Sequence, residues 1–362
     1  MVLKMHAQLK RWLELKFDIM KKILFAISTL FVFSLISCGQ VKSSDSFTAM
    51  NTFMTVSVYS SSSKKGQTVC SQIQNRIVEL EKILSTTLPT SDVYFINHNK
   101  KLPDPLKPEL MELLEFSEDM YQKTNGAFNP ALYPVIREWG FTTEEYKVPS
   151  EERIAELLLH TDFSALCDLD NSGFTADAPI DESMELDFGA VGKGYAADEA
   201  VRILNENGIS SALLDFGGNI QTLGKKPDGS LWRVGIKNPW TGGASCALSV
   251  ESKAVVTSGG YERFFEDENG KRYIHIFDPK TGRPSEGELE SVTIVCPSGK
   301  YADTLSTALF VMGKDYAVEW WKANSDFDFI LLTKNKELFY SEGLERFIEP
   351  LYQFESVSVI RR

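Results

Sequence analysis

Apolar residues recur at helical spacing in the first half of this chain and gather into short runs through the second. Ile73, Ile77, Leu80 and Leu84 fall three or four apart and predict an amphipathic helix. Leu110, Leu113 and Leu114, continuing through Ser117 to Tyr121, predict a second helix after the breaker string Pro103-Asp104-Pro105. Arg153 to Leu159 gives a third. A fourth is expected to start after Gly194 and end near Gly208, a residue able to take the left-handed C-cap conformation. Val56, Val58 and Tyr59 suggest an opening strand. Residues 212–216, 231–236, 247–250, 254–257, 272–277 and 291–295 also read as strands, and Asn269-Gly270 as a hairpin turn. Residues 302–312 then read as a helix and 327–332 as a late buried strand. Helices and antiparallel strands are partly segregated, which makes the fold class α+β.

The 362 residues suffice for one large domain or two modest ones, and no internal repeat or low-complexity linker divides them. Met20-Lys21-Lys22 opens an apolar run from Ile23 to Ile36, followed by Ser37-Cys38-Gly39. A positive end, a short apolar core and a small-residue cleavage site make a secretory signal, with Met20 the expected start of translation. With such flanks the run is short for a membrane span, although an uncleaved signal anchor is the alternative. Leu35-Ile36-Ser37-Cys38 resembles the lipobox of bacterial lipoproteins, in which the Cys is lipidated and becomes the first residue. The expectation is an exported lipoprotein anchored to a membrane and facing the periplasm. Residues 1–37 would be leader and signal, 38–46 the lipidated Cys38 with a polar tether, and 47–351 one folded domain.

Composition is that of an ordinary globular protein, with 43% hydrophobic and 24% charged residues. The net charge of −12 excludes non-specific nucleic-acid binding, which needs a cationic surface to displace counterions. It also argues against docking on anionic lipid through a basic patch. An anionic ligand must therefore be held by a local site. Beyond Cys38, the cysteines Cys70, Cys167, Cys246 and Cys296 show no close C-x-x-C pair. Cys296 ends a strand-like run and reads as a small core residue; three disulfide pairings stay open.

Four segments carry chemistry. In Glu185 to Asp198 a strand is expected to enter a glycine-rich turn and then a helix, with Lys193 between two glycines where its ammonium could reach a phosphate. The spacing is neither a Walker A loop nor a dinucleotide fingerprint, and a packing turn explains it about as well. Asp215-Phe216-Gly217-Gly218-Asn219 could be a second close-approach loop or a plain hairpin. The third segment joins Thr257-Ser258-Gly259-Gly260-Tyr261-Glu262-Arg263 to a strand bearing His275. His275 is the only one of the four histidines that lies in a motif, so it is the candidate base. In the fourth, Asp303 and Thr307 stand four apart on a helix and share a face. A carboxylate and a hydroxyl suit Mg²⁺, but Asp303 as an N-cap with Thr307 as a first-turn residue is equally natural.

Taken in order, these segments resemble the FAD:protein FMN transferase (ApbE) family. The strings that carry the resemblance are Leu186 to Asp198, Asp215 to Asn219, Thr257 to Arg263, His275 to Pro284 and Ala302 to Leu309. Met50-Asn51-Thr52 and Gly126-Ala127-Phe128-Asn129-Pro130 add to them upstream. The similarity spans roughly residues 47–345. It implies an enzyme that cleaves the pyrophosphate of FAD and transfers FMN to a Thr or Ser hydroxyl of a flavoprotein, releasing AMP. The acceptors it implies are exported subunits of respiratory electron-transfer complexes. By the same resemblance Asp303 and Thr307 would bind Mg²⁺, helped by the Ala190 carbonyl and, as a lesser ligand, Ser306. Asp187 and Lys193 would hold FAD. Met50, Ala127, Phe128, Asn129, Thr257, Ser258, Gly259 and Ile276 would line the flavin and nucleotide site, and His275 would serve as base at the reacting phosphate. Three departures bear on the outcome. Met54 and Thr86-Thr87 stand where many members carry aromatics, and Asn129 replaces the commoner Asp. Fewer stacking aromatics leave open a Mg²⁺-dependent FAD pyrophosphatase, and a non-catalytic flavin-binding lipoprotein is the remaining alternative.

Overall fold

Successive side chains of a strand point to opposite faces of its sheet, so a strand that is apolar throughout needs cover on both sides. In this chain Val255-Val256, Ile294-Val295 and Phe329 to Leu332 are such strands. The computed structural model describes residues 39–166, 174, 180–324 and 326–362. The secretory signal, Cys38 and Cys167 lie outside the described residues.

In chain order the elements are β1 (Val41–Ala49), β2 (Thr52–Ser60), α1 (Ser63–Leu84), α2 (Asp92–Asn99), α3 (Pro108–Lys123), α4 (Tyr133–Glu138), α5 (Glu151–Leu158) and α6 (Gly192–Glu206). They continue with β3 (Ser211–Phe216), β4 (Asn219–Leu223), β5 (Trp232–Lys237), β6 (Ala244–Val250), β7 (Ala254–Gly259), β8 (Phe264–Glu266), β9 (Arg272–Ile274), β10 (Phe277–Asp278), β11 (Arg283–Pro284) and β12 (Leu289–Cys296). The last are α7 (Gly299–Met312), α8 (Lys314–Ala323), β13 (Asp328–Thr333), β14 (Glu337–Ser341), β15 (Ile348–Pro350) and β16 (Ser356–Ile360).

Nine strands form one sheet in the order β1-β2-β3-β4-β7-β12-β13-β14-β16. Every neighbouring pair is antiparallel except β14 with β16. On one face Met54, Leu214, Phe216, Val256, Ile294 and Leu331 join the core built on α1, α6 and α7. On the other, Val255, Val295, Ile330 and Leu332 meet Trp232, Ile236 and Leu248 of the small sheet β15-β6-β5. The α+β class therefore holds, and the doubly apolar runs are the middle strands of a three-layer domain. A third cluster gathers Trp139, Phe141, Ile154, Tyr273 and Phe277 around the short hairpins β8-β9 and β10-β11.

Several boundaries differ from the sequence reading. Residues 41–46 are not a tether. They open β1, which pairs with β2 along its whole length. Only Ser43, Phe47 and Ala49 turn inward, so its composition is polar even though its period is that of a strand. The folded domain likewise runs past 351, to β16. Its edge position leaves β16 half exposed and without a long apolar run. Helices α2 and α8 and strands β4 and β14 also went unread. Residues 272–277 form two short strands interrupted at His275-Ile276, not one. The segment before α6 pairs with no strand among the described residues. Instead the buried Asn97 side chain binds both the carbonyl and the N–H of Leu186, at 2.9 and 2.7 Å.

Helix α6 starts at Gly192 and contains Gly194, because the glycine serves a helix crossing. A methyl group on Gly194 would come within 2.2 Å of the Gly299 carbonyl oxygen, and one on Gly299 within 2.5 Å of the Gly194 carbonyl oxygen. The expected C-cap is present: Gly208 takes φ +61° just past the end of α6. Arg76 of α1 ties the outer side of the same helix in place, bonding Glu199 of α6 at 2.8 Å and Glu109 of α3 at 2.7 Å. Gly194→Ala should therefore destabilise the domain by about 1–3 kcal/mol, the usual cost of overpacking. Urea unfolding measures this, and an unchanged midpoint would mean that α6 and α7 do not meet at these glycines.

Candidate active site

Register brings the motif segments to one end of the large sheet. Met50-Asn51 is the two-residue turn between β1 and β2, with φ of +49° and +56°. Gly217-Gly218 is the turn between β3 and β4, with φ of +68° and +93°. Met54 lies opposite Phe216, so both turns sit at the same end, and a side chain on Gly217 would collide with the Thr52 hydroxyl. Asn219 lies opposite Val256, which carries Thr257, Ser258 and Gly259 of β7 past the end of β4 toward the glycine turn.

Helix α7 crosses this end. Ser298 and the Asp198 carboxylate cap it. Asp198 accepts the N–H groups of Gly299 and Lys300 at 2.5 and 3.0 Å. Asp303 is thus in the second turn and is not the N-cap. Its side chain is buried, and Oδ2 accepts the N–H of Gly194 at 2.9 Å. Val191 offers α6 no capping side chain, so the carboxylate of one helix serves the first turn of the other. Lys193 Nζ stands 4.0 Å from Asp303 Oδ1 and 3.5 Å from the carbonyl of Gly189. Ser258 Oγ lies 2.9 Å from Ser306 Oγ and 3.0 Å from Thr307 Oγ1. Ser306 is fully buried and also donates to the Asp303 carbonyl at 2.9 Å, whereas Thr307 is half-buried.

Asp187 joins this group through the backbone: its N–H donates to the Pro130 carbonyl at 2.8 Å, and its Oδ1 accepts Gly189 N–H at 2.9 Å. Burial holds its carboxyl above the ordinary range, opposed by that hydrogen bond and by Lys193 and Arg263. Ala190 lies half-buried in the turn before α6. The 127–129 segment leads into Pro130, whose carbonyl accepts the Asp187 N–H. Phe128 is a core side chain. Asn129 is fully engaged, donating to the Thr161 carbonyl at 2.8 Å and accepting from Ala131 N–H at 2.9 Å. Met50 is half-buried, with its N–H on Glu81 Oε1 at 2.7 Å.

His275 occupies the break between β9 and β10. Its backbone N–H and its ring Nδ1 both lie 3.1 Å from the Arg263 carbonyl oxygen. A carbonyl only accepts, so Nδ1 carries the proton and Nε2 keeps a bare lone pair. Enclosure by protein, with Arg263 and Lys193 near, pushes the imidazole down to about 4 although its edge remains partly exposed. Ile276 is buried, and its carbonyl accepts Ser285 N–H at 2.8 Å. Arg263 was missed as a site residue. Its guanidinium donates to the Phe141 carbonyl at 2.5 Å, and its charge acts on both Asp187 and His275. The signal available was a cation closing the Thr257–Arg263 motif.

Hard oxygens, an ammonium and a neutral imidazole around crossed helix N-termini are the equipment of a phosphate-transferring enzyme on an α+β scaffold. The chain belongs to the ApbE family, whose model matches residues 50–331. It is 35% identical over 280 residues to the FAD:protein FMN transferase of Treponema pallidum, covering 73% of this chain and 76% of that protein. It is 30% identical over 289 residues to one from Klebsiella pneumoniae, covering 79% and 88%. Among solved structures it resembles the ApbE protein of Thermotoga maritima, with a TM-score of 0.76 and 31% identity over 85% of this chain and 99% of that one. The apo flavinyl transferase ApbE of Pseudomonas stutzeri gives a TM-score of 0.69 at 28% identity, covering 82% and 92%.

The imidazole has a consequence for stability. The unfolded ring takes its proton near 6.5, the folded one near 4. Between these values the unfolded state binds more protons, so stability falls as pH drops through the window, and this contribution levels off below it. His275→Gln should therefore lose less stability than wild type between about pH 7 and pH 4.5. Urea unfolding across that range tests it, and parallel curves would remove the shift.

Proposed function

We infer that this chain is an FAD:protein FMN transferase, moving FMN from FAD to a target protein. The observation that carries the reading is the cluster of Lys193, Asp303, Ser258 and Thr307, which lies on the family's own motifs in a chain alike over most of its length. In the reaction the oxygen of an acceptor Thr or Ser hydroxyl bonds to the FMN-side phosphorus, the pyrophosphate P–O bond breaks, and AMP leaves. His275 Nε2 receives the hydroxyl proton. Lys193 offsets charge on the phosphates.

Among the described residues no three His, Cys, Asp or Glu side chains gather into a metal cage. One carboxylate beside hydroxyls and a backbone carbonyl still fits Mg²⁺, which keeps water and substrate phosphate for its remaining positions. Asp303, Thr307 and the Ala190 carbonyl are the proposed ligands. Ser306 is the weaker one, because it is fully buried and its hydroxyl donates to the Asp303 carbonyl at 2.9 Å, closer than that of Thr307 at 3.4 Å. Bound there, the ion supplies Lewis-acid neutralisation of the pyrophosphate. The signal-like run ending in Cys38 supports export and lipid anchoring at a membrane, facing the periplasm. The acceptor is then an exported flavoprotein subunit of a respiratory electron-transfer complex.

Incubating the protein with FAD, Mg²⁺ and such an acceptor domain, then weighing the acceptor intact, tests the reading. Addition of FMN with release of AMP is expected. AMP with free FMN and an unmodified acceptor would make the chain a pyrophosphatase, and unchanged FAD would refute both activities. Asp303→Ala should stay folded yet lose AMP release by on the order of a hundredfold or more, as expected when a charge-stabilising group is removed. His275→Ala should lower kcat by about 10²–10⁴ with little change in FAD affinity. Steady-state AMP release and FAD fluorescence titration separate the two variants.

A further inference from the structure

One register row of the large sheet is apolar except at a single position. From β2 to β13 the row reads Met54, Phe216, Asn219, Val256, Ile294 and Phe329, each directly opposite the next. All but Asn219 belong to the core beneath α1, α6 and α7. The neighbouring residue Ile220 packs on the opposite face, against the small sheet. The amide of Asn219 therefore points under the helices. It is 4% exposed, and its Nδ2 has no hydrogen-bond partner. A buried amide hydrogen without an acceptor is unfavourable, and native structures keep few of them.

Asn219 also occupies a particular place. It directly follows the Gly217-Gly218 turn. Ser258, whose hydroxyl touches Ser306 and Thr307, lies two residues beyond its partner Val256 on the same face. Such diagonal neighbours in a sheet stand roughly 7 Å apart. The unpartnered donor thus lies one diagonal step across the sheet from Ser258 of the oxygen cluster.

We propose that Asn219 is a substrate-binding residue whose Nδ2 donates a hydrogen bond to a phosphate oxygen of the bound dinucleotide. The proposal rests on the transferase reading above. It explains why a polar side chain interrupts an apolar row: the acceptor for its N–H arrives with the ligand. The competing account is that Asn219 and Gln221, two amides on one face of β4, bond each other. Gln221 Oε1 is likewise unpartnered.

Two variants of the full chain separate these accounts. Asn219→Leu continues the apolar row at similar volume, and Asn219→Asp keeps the shape but replaces the donor with an anion. FAD affinity by fluorescence titration should fall about 10- to 100-fold in Asn219→Leu, the range for losing a hydrogen bond to a charged group, and further in Asn219→Asp. The melting temperature of the ligand-free Asn219→Leu protein should be unchanged or higher, while the upward shift produced by FAD shrinks. Wild-type FAD affinity in either folded variant would overturn the proposal, as would a lower ligand-free melting temperature in Asn219→Leu with FAD affinity intact. Should the wild-type chain itself fail to bind FAD, the transferase reading falls first and this inference with it.

Discussion

The crossing of α6 over α7 at Gly194 and Gly299 is the contact on which the site depends. Two backbones meet there with no room for a side chain on either. That closeness lets the Asp303 carboxylate of one helix reach the Gly194 N–H of the other. Asp198 returns the exchange, running from α6 to cap α7. Asp303 is buried and Asp198 half-buried, and each is held by backbone N–H at a helix N-terminus, where the positive end of the helix dipole favours an anion. The same geometry fixes Lys193, one residue before the contact, within 4.0 Å of Asp303. Without the glycines the helices would part, and the charges that now face one another would be separated.

A second constraint acts on the imidazole. His275 does not belong to the large sheet. It hangs in a break between two short strands, and the aromatic cluster of Trp139, Phe141, Phe265, Tyr273 and Phe277 holds that break in place. Trp139 sits within 5.4–6.5 Å of Tyr273, Phe277 and Phe265, and its indole N–H bonds the Gly282 carbonyl. Arg263 joins the two parts. Its guanidinium is anchored on the Phe141 carbonyl, while its own carbonyl orients the ring. Sequence alone made His275 one residue of a continuous strand. The alternation Tyr273, His275, Phe277 is real, but it is produced by two hairpins whose aromatics face a common cluster.

How far the sequence carried the fold follows from where apolar residues are obligatory. The central strands and the helices α1, α3, α6 and α7 bury continuous or periodic apolar faces, and these were legible. The edge strand β1 buries only alternate residues and β16 none fully, so polar composition hid them, and β1 passed for a tether. At the site the motif residues Asp187, Ser258, His275, Asp303 and Thr307, drawn from separate segments, gather around Lys193 and Arg263. Asn129 and Phe128 have their side chains engaged within the protein. Their place in the motif reflects the backbone that carries Pro130 to Asp187. Spacing cannot distinguish a residue that touches a ligand from one that positions the chain beside it.

The charge balance closes the argument. The chain carries −12 overall, yet a dinucleotide brings further negative charge to the site. Lys193 and Arg263 are the cations whose fields reach Asp187 and His275 from within the site, and both belong to motif segments. An imidazole enclosed beside two cations stays neutral, so it is available to take a proton and does not compete with them for the anion. A third, uncharged donor is then the economical complement. An amide such as that of Asn219 adds direction to phosphate binding without another positive charge that would lower the basicity of His275 further. The acidic surface repels anions in general, and the site admits one only where cations, helix N-termini and oriented donors coincide.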